Sequence, residues 1–435
     1  MQTSLPKYPR FFYLPTMNLS ASILSSSSKP ILAVKILPLP STIRRTKHLA
    51  LLIDTSGSME GVRIEAVKKT LHLLVDAMPI EDVLSLIGYS SESTILLNAV
   101  SIEKNRAPLH ALIDTLYADG GTNLACGVEN LKLLANVDSV FLLTDGHINE
   151  GLQSASGLLR ILGSDLPPLN TLGYGSDYNI RTLKALSVRT RGSHTYADSA
   201  ELIPAIIGDI VGGLASEVGK QGTLHIPAGW RCLELGYDEG DTTYNVGTLI
   251  ADKEQWVLLE QTDDLPAPAS LTFSWTTDKV HTNTVQIDTS ISKKEISQQA
   301  NRARVAYVFG NVLDMLENGD REGAKTSLQS LLAELSASPS KDCPFVIRLL
   351  AQVDEMLEDL KHHAWNPDLV PRMNSNQVAL GVQRGIVSRL QSVQPEEDTA
   401  IPARALTGVL DSFSSPSQRM ASAGMSTQYS QKPGP

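Results

Sequence analysis

Residues 48–58 read HLALLIDTSGS, an apolar run followed by one carboxylate and, at alternate positions, the hydroxyls of Ser56 and Ser58. The apolar part is typical of a strand in a parallel sheet that is covered by helices. Asp54, Ser56 and Ser58 alternate along the turn that follows, and Gly57 lets the backbone turn sharply there. The three side chains can therefore face one point, at the sheet edge where open α/β proteins bind their ligands.

The same alternation of strands and helices continues from residue 48 to residue 218. Short apolar runs flanked by Gly, Asp or Ser are separated by amphipathic stretches, which predicts a doubly wound α/β fold with a mostly parallel sheet. The predicted strands are 48–53, 83–89, 140–144, 169–174 and 193–196, and the predicted helices are 62–77, 107–117, 124–135, 152–162, 180–189 and 200–216.

Two further stretches carry oxygen ligands to the same edge. If the strand order is 3-2-1-4-5-6, the strand over 140–144 neighbours the first strand, and Asp145 follows it directly. Thr122 lies in the sequence GGTN just before a predicted helix, where two glycines allow a close approach. Hard oxygen donors with few carboxylates suit Mg²⁺, or Mn²⁺ in its place, and leave one coordination position open.

These motifs resemble the von Willebrand factor type A family, whose metal-ion-dependent adhesion site consists of DxSxS, a loop Thr and an Asp in a TDG-like turn. The similarity spans about residues 49–211. The resemblance implies that Ser56, Ser58 and Thr122 bind the metal directly and that Asp54 and Asp145 act through waters. It also implies that a carboxylate of a protein partner fills the open position.

The segments on either side of this domain show different residue patterns. Residues 221–290 alternate β-branched and aromatic residues between Gly and Pro turns, which predicts a small antiparallel β domain. Residues 30–47 contain a strand of the same character that we expect to join it, so the α/β domain over 48–218 is predicted to be an insertion. Residues 292–393 repeat the spacing of a buried helical stripe and predict a helical bundle. Residues 1–29 and 394–435 are predicted to be disordered.

The helical stretch 305–360 also resembles, more weakly, the region that follows such domains in proteins with hedgehog/intein-like autoprocessing modules. Autoprocessing needs a nucleophilic cysteine at the start of a module. Cys126, Cys232 and Cys343 do not lie in such a context, so we expect no processing activity.

Composition excludes several classes of function. The 435 residues carry 37 Lys and Arg against 47 Asp and Glu, and a net charge of -10 repels nucleic-acid phosphates. We find no run of about 18 apolar residues that could span a membrane. Three widely spaced cysteines favour neither a disulfide framework nor a zinc cage, and they indicate an intracellular, cytoplasmic protein.

The sequence therefore predicts a binding protein and not an enzyme, in which Mg²⁺ holds an acidic residue of a protein partner. One alternative is a scaffold component of ubiquitin-type or other assembly machinery. Another is a metal-dependent phosphatase-like enzyme with Asp54 as nucleophile, although such enzymes resemble DxD and the third position here is Ser56.

Overall fold

The computed structural model describes residues 17–25, 29–41, 45–163, 167–174, 178–197, 202–235, 237–277, 279–361, 369–382 and 415–431. In chain order the strands are β1 (Met17–Leu24), β2 (Ile31–Pro38), β3 (His48–Asp54), β4 (Val83–Tyr89), β5 (Ser93–Ser101), β6 (Ser139–Thr144), β7 (Leu169–Tyr174), β8 (His194–Ala197), β9 (Glu217–His225), β10 (Trp230–Cys232), β11 (Thr243–Ile250), β12 (Gln255–Gln261), β13 (Ser270–Thr276) and β14 (Val280–Asp288).

The helices follow the same chain order and fall into two groups, one on the α/β sheet and one near the C-terminus. They are α1 (Val62–Ala77), α2 (Ile102–Asp114), α3 (Leu124–Lys132), α4 (Ala155–Leu162), α5 (Ile180–Arg189), α6 (Ile203–Ala215), α7 (Lys293–Glu317), α8 (Arg321–Ala337), α9 (Pro344–Lys361), α10 (Leu369–Val382) and α11 (Pro416–Gln431). In the described ranges, no helix is both long enough and apolar enough to cross a membrane.

The α/β sheet has the strand order β5-β4-β3-β6-β7-β8, and all its neighbouring strands are parallel except β4 and β5. Helices α1, α2 and α6 cover one face, and α3, α4 and α5 cover the other. Strand β3 is buried throughout, and its side chains alternate between the two cores. The expected doubly wound fold is therefore confirmed, with β3 and β6 side by side at its centre.

Strand β5 was not expected from the sequence. It pairs antiparallel with β4 at the edge of the sheet, and its side chains are half-buried or exposed. A strand at an open edge has one solvated face and needs no continuous apolar run, so the apolar signal that identified the other strands is weak here.

A second sheet of eight strands, in the order β10-β12-β2-β1-β14-β13-β9-β11, draws on both flanks of the α/β domain. Its pairs are antiparallel apart from β1 and β14. The expectation that residues 1–29 are disordered is wrong where β1 lies, because Met17, Ala21 and Leu24 are buried and β1 pairs along its whole length with β2. The rest of that stretch, apart from residues 25 and 29, lies outside the described residues.

The α/β domain is inserted between β2 and β9 of this second sheet. A buried ion pair joins the two segments through which the chain enters and leaves that domain. Lys47 precedes β3, Glu217 begins β9, and Lys47 Nζ lies 2.6 Å from Glu217 Oε1. Their side chains are only 4% and 5% exposed. Breaking one partner of such a pair leaves an uncompensated buried charge, so the entry and exit of the inserted domain are held together.

Helices α7 to α10 form the helical region around one shared core. The fully buried Arg302 on α7 joins this region to the second sheet, since its Nη2 lies 2.6 Å from Glu234 Oε1 and its Nη1 donates to the carbonyl of Leu380. Helix α10 also reaches the α/β domain, where the amide of Tyr196 on β8 donates to Ser375 Oγ. Edge strand β8 is thereby covered, as unpaired sheet edges usually are.

The expectation that the tail 394–435 is disordered is wrong for residues 415–431. Ser415 and Gln418 form a reciprocal cap, in which Gln418 N donates to Ser415 Oγ and Ser415 N donates to Gln418 Oε1, with Pro416 as the first helical residue. The Ser, Pro and Gln content that suggested disorder is in fact a helix start signal. Residues 394–414 and 432–435 lie outside the described residues.

Helix α11 packs closely on α6, whose residues 203–214 are all buried. A Cβ atom at Gly212 would lie 2.6 Å from the Cα of Gln418, and one at Gly208 would lie 2.6 Å from the Cα of Ser422. Gly208 and Gly212 are one helical turn apart, so the two backbones approach along a glycine face of α6.

We predict opposite effects for two glycine-to-alanine changes in these helices. Gly212→Ala forces α6 and α11 apart and should lower the free energy of unfolding by about 1–3 kcal/mol, the usual cost of overpacking. Gly424→Ala is the matched control, because nothing lies within 4 Å of a Cβ there. The control should be neutral or gain up to about 1 kcal/mol of helix propensity. Chemical denaturation measures both, and equal effects would show that α11 does not pack as described.

Candidate metal centre

Asp54 lies at the carboxyl end of β3 and is fully buried. Its Oδ1 accepts a hydrogen bond of 2.9 Å from the amide of Ser56, and its Oδ2 accepts from the hydroxyls of Thr144 and, at 3.4 Å, Tyr89. These donors are all neutral. The donors therefore fix the orientation of the Asp54 carboxylate, but none of them neutralises its charge.

Ser56, Ser58 and Asp145 form a chain of polar contacts next to Asp54. Ser56 Oγ lies 3.1 Å from Ser58 Oγ, and Ser58 Oγ donates a 2.7 Å hydrogen bond to Asp145 Oδ1. Asp145 reaches this position because β6 is parallel to β3 and its register places Leu143 opposite Ile53. The two carboxylates thus arrive from adjacent strands, as the sequence predicts.

Thr122 is brought to the same place by contacts between loops. Gly57 N donates to Gly120 O at 3.0 Å and Asp119 N donates to Thr55 O at 2.8 Å, which ties the Thr122 loop to the turn after β3. A Cβ at Gly146 would lie 3.3 Å from Ser58 Oγ and 3.8 Å from Thr122 Oγ1, so the two hydroxyls flank this glycine. Thr122 is only 3% exposed, which makes it part of a buried site and not a surface loop residue.

The structure also places Arg63 at this site, which the sequence did not indicate. Its guanidinium forms an ion pair with Asp145 Oδ2 and donates a 3.0 Å hydrogen bond to the carbonyl of Ser58. The Arg63 side chain is 43% exposed and also lies 5.8 Å from the ring centroid of Tyr174. The only sequence signal was its place in the first turn of α1, directly after the metal loop.

Burial controls the charge of the site. Desolvation raises the pKa of Asp54 above its ordinary value, the nearby Asp145 raises it further, and the hydrogen bonds from Ser56 and Thr144 oppose this. A buried carboxylate next to a second one is costly to ionise unless a cation is close. Arg63 supplies a cation to Asp145, whereas Asp54 has neutral partners.

The chemistry of this donor set fits a hard divalent cation. The candidate metal centre consists of five side chains that offer only oxygen atoms, three hydroxyls and two carboxylates. These are Asp54, Ser56, Ser58, Thr122 and Asp145. Across the residues that the structure describes, no three His, Cys, Asp or Glu side chains gather as a metal site. A metal here would therefore depend on hydroxyls and waters beside its carboxylates, which is how Mg²⁺ is bound and zinc usually is not.

Comparison with known families assigns the domain that carries this centre. Residues 49–147 match the family model described as von Willebrand factor type A domain. The chain contains a von Willebrand factor type A domain. Such domains are often metal-dependent protein-interaction modules.

Two curated relatives match about a third of this chain. An uncharacterized protein of Synechocystis sp. is 31% identical over 159 residues, which is 35% of this chain and 38% of that protein. Inter-alpha-trypsin inhibitor heavy chain H1 of Bos taurus is 26% identical over 172 residues, 35% of this chain and 19% of that protein. The chain thus spans well under half the length of either relative.

Solved structures resemble more of the chain. A von Willebrand factor type A protein from Catenulispora acidiphila covers 94% of this chain and 99% of its own, with a TM-score of 0.62 and 12% identity. The ArnB paralog VWA2 from Sulfolobus acidocaldarius covers 84% of this chain and 98% of its own, with a TM-score of 0.54 and 15% identity. At such low identity the likeness shows a shared fold, and it extends beyond the von Willebrand A domain.

We predict that ionised Asp54 destabilises the metal-free protein. Its folded-state pKa is raised above the unfolded value of about 4, so the folded state loses stability relative to the unfolded state as the pH rises above that value. Asp54→Asn keeps the shape and removes the charge. With chelator present, the unfolding free energy of Asp54→Asn minus that of the wild type should increase between pH 4 and pH 7. The increase should be about 1.4 kcal/mol for each unit by which folding raises the pKa of Asp54. Parallel profiles for the two proteins would contradict this.

Proposed function

We propose that the candidate metal centre binds Mg²⁺ and that the bound ion holds a carboxylate of a protein partner. The observation that carries this proposal is the convergence of two buried carboxylates and three hydroxyls at the carboxyl ends of β3 and β6. Ser56, Ser58 and Thr122 would be the direct ligands, and Asp54 and Asp145 would act through waters. When bound, the ion supplies a positive charge that attracts an acidic residue.

The surroundings of the centre support binding over catalysis. Asp54 is fully buried and both of its oxygens accept hydrogen bonds, so it is poorly placed to attack a phosphorylated substrate. Ser58 is exposed at the mouth of the centre, and Arg63 places a half-exposed guanidinium beside it. The metal ion and the Arg63 guanidinium are both positively charged, so together they suit an incoming carboxylate.

We predict that Mg²⁺ raises the thermal midpoint of the full chain. At a hundredfold excess over its dissociation constant, the ion should stabilise the folded state by about 2.7 kcal/mol, or roughly 5–10 °C for a domain of this size. Thr122→Ala removes one ligand and should reduce this rise. The matched control is Thr115→Ala, an exposed threonine just after α2, which should keep the full rise.

The partner side of the proposal is tested by a pull-down from a lysate with Mg²⁺ or with chelator. Partners retained by the wild type should elute with chelator and should be lost in Thr122→Ala but not in Thr115→Ala. Replacing the acidic residue of a captured partner by its amide should abolish the interaction. Capture that survives chelator and Asp54→Asn alike would reject the adhesion mechanism.

A further inference from the structure

Two histidines on neighbouring helices of the von Willebrand A domain meet in an unusual contact. His72 on α1 and His110 on α2 place their Nδ1 atoms 2.6 Å apart, with ring centroids separated by 4.9 Å. Their side chains are 21% and 29% exposed. His72 is ten residues into α1, about 15 Å along the axis from its start, so this contact is separate from the candidate metal centre.

Each histidine contacts a carboxylate that lies on the other helix. His72 Nε2 lies 2.9 Å from Asp114 Oδ1 on α2, and His110 Nε2 lies 3.0 Å from Asp76 Oδ1 on α1. Both helices carry the same spacing, HLLVD over 72–76 and HALID over 110–114. Residues four apart share a helix face, so the repeated spacing produces a crossed, symmetrical arrangement.

The close contact between the two Nδ1 atoms requires a cation between them. If both Nε2 atoms donate to the carboxylates, two neutral rings would point their Nδ1 lone pairs at each other over 2.6 Å. Such a contact is repulsive unless a proton or a metal ion lies between the nitrogens. Asp114 and Asp76 each place a carboxylate oxygen at the Nε2 side of a ring, which favours a cation between the two Nδ1 atoms.

We propose that His72 and His110 bind a divalent transition metal, with Zn²⁺ as the reference ion, through their Nδ1 atoms. Imidazole nitrogen is a preferred ligand of zinc, copper and nickel. Histidine ligands of metals almost always donate their other N–H to a carboxylate or carbonyl, which is the role that Asp114 and Asp76 already play. The metal would take the place of any proton that lies between the two Nδ1 atoms.

The site supplies two protein ligands and leaves the others open. Tetrahedral zinc with Zn–N bonds near 2.0–2.1 Å holds two nitrogens about 3.3 Å apart, so the rings must separate slightly from their present contact. Both side chains are only partly buried, which leaves room for this movement. Asp76 and Asp114 contact the opposite nitrogens of the rings, and no group of three or more metal-ligating side chains is found among the described residues. Water or a side chain of a bound protein would fill the remaining positions.

The test is a calorimetric titration of the full chain with Zn²⁺ alone as the probe, in an Asp54→Asn background that removes one carboxylate of the first centre. His72→Gln should lose one equivalent of bound zinc. His225→Gln is the matched control, an exposed histidine on β9, and should keep that equivalent. Asp76→Asn with Asp114→Asn should weaken binding by about 10- to 100-fold, as expected when the groups that orient metal ligands are lost.

Two controls make the result decisive. Equal thermal midpoints of the metal-free parent and variant show that the fold is retained, and His110→Gln repeats the test from the second helix. Unchanged zinc stoichiometry in both histidine variants overturns the proposal and leaves the contact as a shared proton only.

Discussion

The parallel pairing of β3 with β6 is the constraint on which the rest of this structure depends. It places Asp54 and Asp145 at the ends of adjacent central strands, inside a sheet whose two faces are covered by helices. The pairing fixes the backbone at the ends of both strands, so the two residues start from neighbouring positions. The fold thus holds two carboxyl groups close together in a buried place, where ionising Asp54 costs free energy unless a cation beyond Arg63 is close to it.

Several contacts outside the metal centre join this domain and its neighbours. Lys47 and Glu217 join the two segments through which the chain enters and leaves the inserted domain, and Arg302 joins the helical region to the second sheet. Helix α1 begins directly after the metal loop and packs with α6 and α11 in one core, where Lys69 Nζ also lies 4.0 Å from the ring centroid of Tyr429. Any displacement of α1 at the metal centre would therefore have to be accommodated by these two helices.

Much of the fold and the grouping of the site residues could be predicted because local signals were strong. Asp54, Ser56 and Ser58 follow a buried strand, and an open α/β sheet fixes where such strand ends meet. Arg63 could not be predicted, because its role depends on an ion pair with a residue 82 positions away. Helix α11 begins with the reciprocal cap of Ser415 and Gln418, but its Ser- and Gln-rich composition is also typical of disordered segments. The crossed pair His72 and His110 likewise becomes visible only when two helices are placed side by side.

The central claim is that the five oxygen-bearing side chains at the ends of β3 and β6 hold a divalent metal ion. The most direct measurement is an anomalous difference map from crystals of the full chain grown with Mn²⁺, which replaces Mg²⁺ and scatters anomalously. The account predicts a peak within about 2.5 Å of the hydroxyl oxygens of Ser56, Ser58 and Thr122. The absence of any peak there at millimolar Mn²⁺, with the Arg63 guanidinium still paired with Asp145, would contradict it.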